Sequence, residues 1–308
     1  MTNAPAISVV ICSHNPRRDY LDRVLGALRA QTLPFNQWEI LLVDNASAES
    51  VKDRCDLSWH PRARVGREEK VGKIHALLTA IRQTESPLIA IVDDDNIVAS
   101  DYLAVGMRLG TTHPHLGAWG GSCLPEFEIQ PPGFLQKYLN RLAVSTVTRA
   151  RWSNSYVDFD AIPPGAGMIL RREIAERYRG LVENDPVRTA LGPTGKHLTR
   201  CDDTDLAWTA IDAGLGLGRF PELQLTHLIP RRRVEPDYML ELIEGDAASR
   251  VVLDRIRGLD TVSSSARGVH PLRALWLRYR LPKFDYEAWE AARRGVRLGI
   301  EMLRKLGL

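Results

Sequence analysis

The chain has 308 residues, of which 44% are hydrophobic and 26% are charged, a composition typical of a soluble globular protein with one large or two modest domains. The net charge of +3 is unevenly distributed: residues 266–308 carry 10 Lys and Arg against 4 Asp and Glu, whereas the other 265 residues carry 31 against 34. The slight negative net charge of residues 1–265 therefore excludes a nucleic-acid-binding surface in that part of the chain. No apolar run approaches the roughly 18 residues that span a bilayer.

The N-terminus lacks a basic region followed by an apolar run, so no signal peptide is expected. The cysteines, at positions 12, 55, 123 and 201, are scattered and form no CxxC pair. Both features predict a cytoplasmic protein with reduced thiols.

Strands and helices are predicted to alternate along the first third of the chain. Apolar, β-branched runs predict buried strands at 7–12, 38–43, 88–92 and 116–122. Apolar residues at helical spacing predict helices at 21–28, 74–81 and 100–109. This alternation is typical of βαβ units, so we expect an α/β fold with a parallel sheet.

Polar residues follow three of these strands directly, at Ser13, at Asp44 and at the Asp triplet 93–95. Because ligands bind beyond the carboxyl ends of parallel strands, these side chains are expected to converge on one site. Three neighbouring carboxylates repel one another unless a positive charge neutralises them. The alternative is an acidic turn in which one Asp or Asn96 caps the following helix.

Two common nucleotide-binding motifs are excluded. The sequence GREEKVGKI at 66–74 has five residues between its glycines where a P-loop has four, and Ile74 replaces the required Ser or Thr. No GxGxxG follows the first strand, which excludes a Rossmann dinucleotide site.

Taken together, six motifs resemble those of the family 2 glycosyltransferases, which are nucleotide-sugar enzymes of GT-A fold. They are VVICSHN (9–15), LLVDNAS (41–47), VDDDN (92–96), GAG (165–167), DDTDL (202–206) and PEL (221–223) followed by His227. The resemblance implies a mostly parallel, Rossmann-like sheet flanked by helices. It places the GT-A domain at 1–230, with a nucleotide-binding half at about 1–122 and an acceptor half at 123–230, and a helical, basic extension at 231–308.

The resemblance also assigns a donor site that contains a metal ion. It implies that Asp93 contacts the ribose, that Asp94 lies in the same pocket, and that Asp95 and His227 bind the metal. A divalent cation would neutralise both the carboxylates and the diphosphate of the donor. An imidazole ligand beside oxygens favours Mn²⁺ over Mg²⁺.

Base recognition is assigned to Asp44 and Ser13, with a turn hydroxyl as the alternative for Ser13. A carboxylate accepts the N3–H of uracil or the N1–H and N2–H of guanine, so it selects a base with a donor edge and does not settle which base. UDP is the nucleotide expected first, with GDP and dTDP as the alternatives. Lys73 is expected to reach a phosphate, and a solvated surface charge is the alternative.

The resemblance implies that Asp203 is the catalytic base, the group that takes the proton of the acceptor hydroxyl in an inverting transfer. Asp202 stands where the family has Glu and is assigned to acceptor binding, and a helix cap is the alternative for either residue. Gly165 and Gly167 are expected to leave room for the acceptor, or else to form a tight turn.

The resemblance thus predicts an inverting, hexosyltransferase-type enzyme that transfers one sugar to a hydroxyl of a glycan or a lipid-linked acceptor. The QxxRW motif of processive relatives is absent, so the enzyme is expected to be non-processive. A retaining transferase and an inactive nucleotide-sugar-binding scaffold are the alternatives.

The basic tail carries apolar residues at helical spacing in two runs, which begin at Leu272 and at Trp289. A basic amphipathic helix with Trp at its apolar edge can lie on the inner face of an anionic membrane. The alternatives are packing on the catalytic domain and contact with a second subunit in a homodimer.

Overall fold

A computed structural model describes residues 4–192, 200–259 and 271–307 of the chain. In this part of the chain nine strands form one sheet: β1 (Ile7–Ser13), β2 (Trp38–Asn45), β3 (Ala63–Glu68), β4 (Leu88–Ile91), β5 (Asn96–Val98), β6 (Leu116–Phe127), β7 (Arg151–Ser153), β8 (Ile169–Arg171) and β9 (Gly216–Ile229). The α-helices of the described residues are α1 (Arg18–Arg29), α2 (Lys73–Gln83), α3 (Tyr102–Thr112), α4 (Arg172–Val182), α5 (Pro186–Thr189), α6 (Asp202–Asp212), α7 (Pro236–Ile256), α8 (Pro271–Arg280) and α9 (Lys283–Lys305).

The first half of the sheet is parallel and has the strand order β3-β2-β1-β4. Its central strands are rich in Val, Ile and Leu, as strands covered by helices on both faces usually are, and every residue of β2 is buried. Helix α1 buries a stripe of apolar residues at helical spacing that includes Leu21, Val24 and Leu28. The parallel strands predicted at 7–12, 38–43 and 88–92 are all present.

The second half of the sheet is antiparallel. Strand β8 joins it to the parallel half, since β8 pairs with both β4 and β6, and β9 pairs with β5 and β7. The predicted α/β fold class is therefore confirmed, with the parallel pairings confined to β1–β4. Strand β3 was not predicted, because its sequence ARVGRE is half-exposed and lacks the apolar run of a central strand.

The chain divides into two compact units. The first comprises Met1–Glu126, Ala143–Asn184 and Asp203–Ile229, and the second comprises Phe127–Leu142, Asp185–Asp202 and Pro230–Leu308. The last segment of the second unit begins at Pro230. The predicted boundary between a catalytic domain at 1–230 and an extension at 231–308 stays a prediction. The second unit also includes two earlier segments that the predicted boundaries assigned to the catalytic domain.

Within the second unit, α7 and α9 pack side by side through small residues. A Cβ atom on Gly295 would lie 2.1 Å from the carbonyl oxygen of Glu244, and one on Gly299 would lie 2.6 Å from that of Ala248. The buried face of α9 therefore includes these glycines and Ala291, whereas the stripe predicted to start at Trp289 is half-buried as far as Ile300 and buried only at Leu303. None of the described helices is long and apolar enough to cross a membrane.

Candidate functional site

The polar residues that follow β1, β2 and β4 lie at the carboxyl edge of the parallel half of the sheet. The register pairs Ser13 with Asp44, and Asp44 with Arg67 on β3. The Asp triplet follows β4 and forms the turn into β5, where the backbone N–H of Asn96 donates to the carbonyl of Asp93. Because Asn96 lies in β5 and α3 begins only at Tyr102, the helix-cap alternative for the triplet is wrong.

Two of the triplet carboxylates bind other residues predicted for the donor site. The Lys73 ammonium lies 2.7 Å from Oδ1 of Asp93. The Ser13 hydroxyl donates a hydrogen bond to Oδ2 of Asp94. Strand β1, the turn after β4 and the N-terminus of α2 are thereby joined at one place. Lys73 is therefore ion-paired and the Ser13 hydroxyl is hydrogen-bonded at this edge of the sheet, and their assignment to the donor stays a prediction.

The third carboxylate faces His227 across an antiparallel strand pair. The register of β5 and β9 sets Asn96 opposite His227, and the N–H of Leu228 donates to the carbonyl of Asp95 at 2.9 Å. The Asn96 amide binds Oδ1 of Asp95 at 2.9 Å, which leaves Oδ2 at 3.4 Å from Nε2 of His227. Both side chains are buried.

This separation fits two ligands of one divalent ion. Adjacent ligands that bind an octahedral ion at about 2.1 Å each lie about 3 Å apart. An imidazole nitrogen and a carboxylate oxygen suit Mn²⁺ and Mg²⁺, with the nitrogen favouring Mn²⁺. Among the described residues, no group of three or more His, Cys, Asp or Glu side chains is arranged to hold a metal ion.

Asp44 is buried, at 1% exposure, and its carboxylate binds three donors. Oδ1 accepts the N–H of Ser47 at 3.0 Å, and Oδ2 accepts the N–H of Val51 at 3.2 Å and Nη1 of Arg67 at 2.8 Å. Burial raises the pKa of Asp44, but the bonds from Ser47 and Val51 and the Arg67 charge outweigh it and hold that pKa below its ordinary value. Asp44 is thus a fixed anion.

Arg67 is a site residue that the sequence interpretation missed. It lies in β3, inside the segment considered as a P-loop, and only the register of β3 against β2 brings it to Asp44. Its guanidinium is partly exposed, so it can also contact a ligand placed against Asp44.

Asn45 was missed as well, and it connects two loops at the same edge. Its Nδ2 donates to the carbonyls of Glu68 and Lys70, and its Oδ1 accepts the N–H of Gly72 at 2.8 Å. Gly72 has φ +137° and immediately precedes α2, so Asn45 fixes the backbone from which Lys73 extends. The signal for Asn45 was its position directly after Asp44.

Asp203 lies at the N-terminus of α6, next to the GAG turn. Its Oδ2 accepts the N–H of Gly165 at 3.2 Å, and its Oδ1 accepts the N–H of Thr204 at 2.7 Å. The turn is itself bound to the end of β4, because the N–H of Gly167 donates to the carbonyl of Ile91 at 2.9 Å. Asp203 is therefore held on the side of the sheet where the Asp triplet begins. Its bond to Thr204 joins adjacent residues and is not a helix-cap bond, which reaches the N–H two or three residues further along.

The two glycines of this turn do different things. Gly167 has φ +76°, and a Cβ there would lie 2.5 Å from the Tyr102 hydroxyl and from Leu225. The expectation that Gly167 leaves room for an acceptor is therefore wrong, since protein atoms fill that space. A Cβ on Gly165 would lie 2.9 Å from Cβ of Asp203, so this glycine admits the Asp203 side chain. Asp202 is the half-buried first residue of α6.

The family model described as "Glycosyl transferase family 2" matches residues 8–178, which is more than half of the chain. The chain belongs to glycosyl transferase family 2. This membership confirms the resemblance found in the motifs and, with it, the predicted class of protein, a glycosyltransferase.

Several proteins resemble this family 2 chain. The glycosyltransferase AglE of Haloferax volcanii is 24% identical over 216 residues, which are 69% of this chain and 64% of AglE. The chain spans less than two thirds of the length of the curated relatives it matches. Among solved structures, the mannosyltransferase PcManGT of Pyrobaculum calidifontis, in complex with GDP-Man and Mn²⁺, is 20% identical with a TM-score of 0.56, and the match covers 97% of this chain and 87% of that one.

A second solved structure, S. aureus TarS 1-349 in complex with UDP-GlcNAc, is 13% identical with a TM-score of 0.52. That match covers 98% of this chain and 92% of the TarS chain. At these identities the likeness establishes the fold of the family 2 chain alone, and it agrees with the predicted GT-A class. The roles of individual site residues remain predictions.

Proposed function

We propose that this family 2 protein transfers one sugar from a nucleoside-diphosphate sugar to an acceptor hydroxyl, with a divalent metal at the donor diphosphate and with inversion at the anomeric carbon. The observation that carries the proposal is the pair Asp95 and His227, 3.4 Å apart and buried at the edge where the Asp triplet and Asp203 also lie. Buried carboxylates at one edge suit a ligand that combines a cation with a polyphosphate.

The donor nucleotide would lie against Asp44, Arg67 and Asp93. Asp44 is held as an anion, so it accepts an N–H from the base, and Arg67 can donate to a base carbonyl beside it. Uracil and guanine both present an N–H next to a carbonyl. UDP-GlcNAc in TarS and GDP-Man in PcManGT are donors of these two kinds, so UDP-sugars and GDP-sugars are the donors proposed for this chain.

Asp95 and His227 would hold Mn²⁺ or Mg²⁺, and Lys73 extends from the N-terminus of α2 at the same place. When bound, the ion supplies charge neutralisation to the diphosphate that leaves. Lys73 can add a second positive charge by moving from Asp93 to a phosphate oxygen. The Mn²⁺ in the PcManGT complex supports the choice of metal.

Asp203 would act as the general base. The acceptor oxygen attacks the anomeric carbon, the bond from that carbon to the diphosphate oxygen breaks, and the hydroxyl proton passes to the Asp203 carboxylate. The Gly165 N–H orients the carboxylate through Oδ2, and the Thr204 N–H does so through Oδ1. Direct attack opposite the leaving group inverts the anomeric configuration.

A screen of nucleotide sugars with and without Mn²⁺ identifies the donor, and Asp203→Asn tests the mechanism. Removal of a general base costs about 10²–10⁴ in rate, so Asp203→Asn should lose at least about a hundredfold in turnover while nucleotide affinity stays near that of wild type. Asp101→Asn is the matched control, because Asp101 precedes α3 and its side chain makes no capping hydrogen bond. Turnover of Asp203→Asn within about threefold of wild type, or a product that retains the donor's anomeric configuration, would contradict the proposal.

The metal is tested by nucleotide binding as well as by turnover. Chelation and Asp95→Ala should each abolish UDP or GDP binding, and Mn²⁺ should restore it to the chelated wild type but not to the variant. Full affinity for both nucleotides in excess chelator would remove the metal from the donor site.

A further inference from the structure

Helix α8 carries four large apolar side chains on one exposed face. Leu272, Leu275, Trp276 and Tyr279 follow the helical spacing i, i+3, i+4, i+7, and 51–81% of each residue's surface is exposed. We refer to these four residues as the apolar face of α8. Contiguous exposed apolar surface of this kind typically marks an interaction site.

The remainder of α8 is basic. Its sequence PLRALWLRYR contains three arginines and no acidic residue, and both Arg278 and Arg280 in its last turn are exposed. The guanidinium carbon of Arg280 lies 5.7 Å from the centroid of the Trp276 ring, so a cation borders the apolar face directly. A partner that binds this surface of α8 must therefore offer both apolar groups and negative charge.

The two helices of the basic tail, α8 and α9, differ in how far packing covers their apolar faces. Helix α9 is joined closely to α7 through Gly295 and Gly299, and Arg294 adds an ion pair to Glu244 at 2.8 Å. Packing within the second unit thus accounts for α9. The same packing leaves the apolar face of α8 exposed, although both helices have basic amphipathic sequences.

We propose that α8 binds the surface of an anionic lipid bilayer, with its apolar face inserted among the headgroups and Arg278 and Arg280 at the phosphates. A helix of ten residues is about 15 Å long, and Trp and Tyr favour the depth where headgroups meet acyl chains.

A second copy of the chain fits this surface less well than lipid does. A two-fold symmetric contact through α8 would bring together two copies of a helix that has arginines and no acidic residue, so the contact would lack charge complementarity. Four apolar residues on one helix are also far fewer than the roughly 20–30 residues per side of a standard protein interface. An anionic bilayer, in contrast, complements both the charge and the small convex shape of one helix.

Cosedimentation with vesicles tests this assignment on the full chain. Vesicles that contain phosphatidylglycerol should bind the protein, those of phosphatidylcholine alone should not, and added salt should weaken the binding. Arg278→Gln/Arg280→Gln should weaken it about thirtyfold, since each basic residue near such a surface contributes about a fivefold factor. Arg18→Gln/Arg29→Gln on α1 is the control for net charge.

Trp276→Ser should weaken vesicle binding by roughly tenfold or more. Trp152→Ser is the matched control, because Trp152 is 55% exposed and Trp276 is 56% exposed. Trp276→Phe should keep most of the binding and lose the blue shift of tryptophan emission that vesicles induce, which reports insertion of this side chain.

Three outcomes overturn the proposal. They are the absence of binding to either kind of vesicle, equal binding to both kinds, and binding that the α8 variants do not change. If sedimentation velocity instead detects a dimer that Trp276→Ser dissociates, with no vesicle binding, the apolar face of α8 is covered by a second copy.

Discussion

Replacement of Gly165 by Ala should displace the proposed catalytic base without altering the donor site. The new Cβ would lie 2.9 Å from Cβ of Asp203 and 3.3 Å from its Oδ2. Carbon atoms in contact are separated by about 3.5–4.0 Å, so the Asp203 side chain must move by up to about 1 Å. Gly165 is not among the glycines with positive φ, so the substitution tests space and adds no backbone strain.

A displacement of about 1 Å at a catalytic group can cost on the order of a hundredfold in rate. Gly165→Ala should therefore lower kcat by about two orders of magnitude, roughly 2.7 kcal/mol of barrier, and leave the dissociation constant of the nucleotide unchanged. The assay measures release of nucleoside diphosphate at saturating donor, alongside calorimetric titration with UDP or GDP. Gly26→Ala is the control, because a Cβ on Gly26 has no neighbour within 4 Å.

A double-mutant cycle separates this effect from general damage. If Gly165 acts only by admitting Asp203, adding Gly165→Ala to Asp203→Asn should cost almost nothing further. Normal turnover of Gly165→Ala would refute the reasoning, and so would a full additive loss in the double variant. The first result would mean that Asp203 tolerates displacement and is not the base, and the second that the turn has a separate function.

The remaining predictions concern affinity and stability. Asp44→Asn should weaken nucleotide binding by about 1–3 kcal/mol in titration calorimetry, because an amide can place an N–H against the N–H of the base. An unchanged dissociation constant would leave Asp44 a purely structural role. Since folding lowers the pKa of Asp44, its stabilisation is present above the unfolded pKa of about 3.9 and is lost as pH falls through the folded value. Urea unfolding should accordingly give a gap between wild type and Asp44→Asn that is full at neutral pH and closes in acid. Gly295→Ala should destabilise the protein by about 1–3 kcal/mol, since its Cβ would overlap the Glu244 carbonyl. Gly180→Ala, whose Cβ meets nothing in α4, should be neutral or slightly stabilising, and equal effects of the two would contradict the close helix contact.

The parallel half of the sheet could be predicted because its strands are buried on both faces and so consist of uninterrupted apolar runs, as in β2. Strand β3 could not be found in this way, since it mixes Arg and Glu with apolar residues. Missing β3 also meant missing Arg67, whose relation to Asp44 exists only in the register of these two strands. The residues around Arg67 do not by themselves predict which strand β3 pairs with or in what register.

The same limit applies to the metal pair and to α9. Asp95 and His227 are 132 positions apart and meet through an antiparallel register, so only the resemblance to a family could connect them. For α9, the expected face followed the large apolar residues from Trp289 onwards. The face that is buried instead contains Gly295 and Gly299, because the backbones of two helices can approach closely only where a residue has no side chain. Hydrophobic periodicity does not predict such a contact, since glycine contributes no apolar side chain to the pattern.

The contacts among Ser13, Lys73, Asp93 and Asp94 have a consequence for the thermodynamics of donor binding. Lys73 and the Ser13 hydroxyl already bind carboxylates within the protein, so a diphosphate bound as proposed would exchange partners with them and add few new contacts. The net enthalpy of association should therefore be smaller than the number of polar contacts in a complex would indicate. If the donor binds as proposed, a nucleotide that carries its own cation would replace the positive charge that Lys73 withdraws from Asp93, whereas a nucleotide without a cation would leave that carboxylate facing another anion.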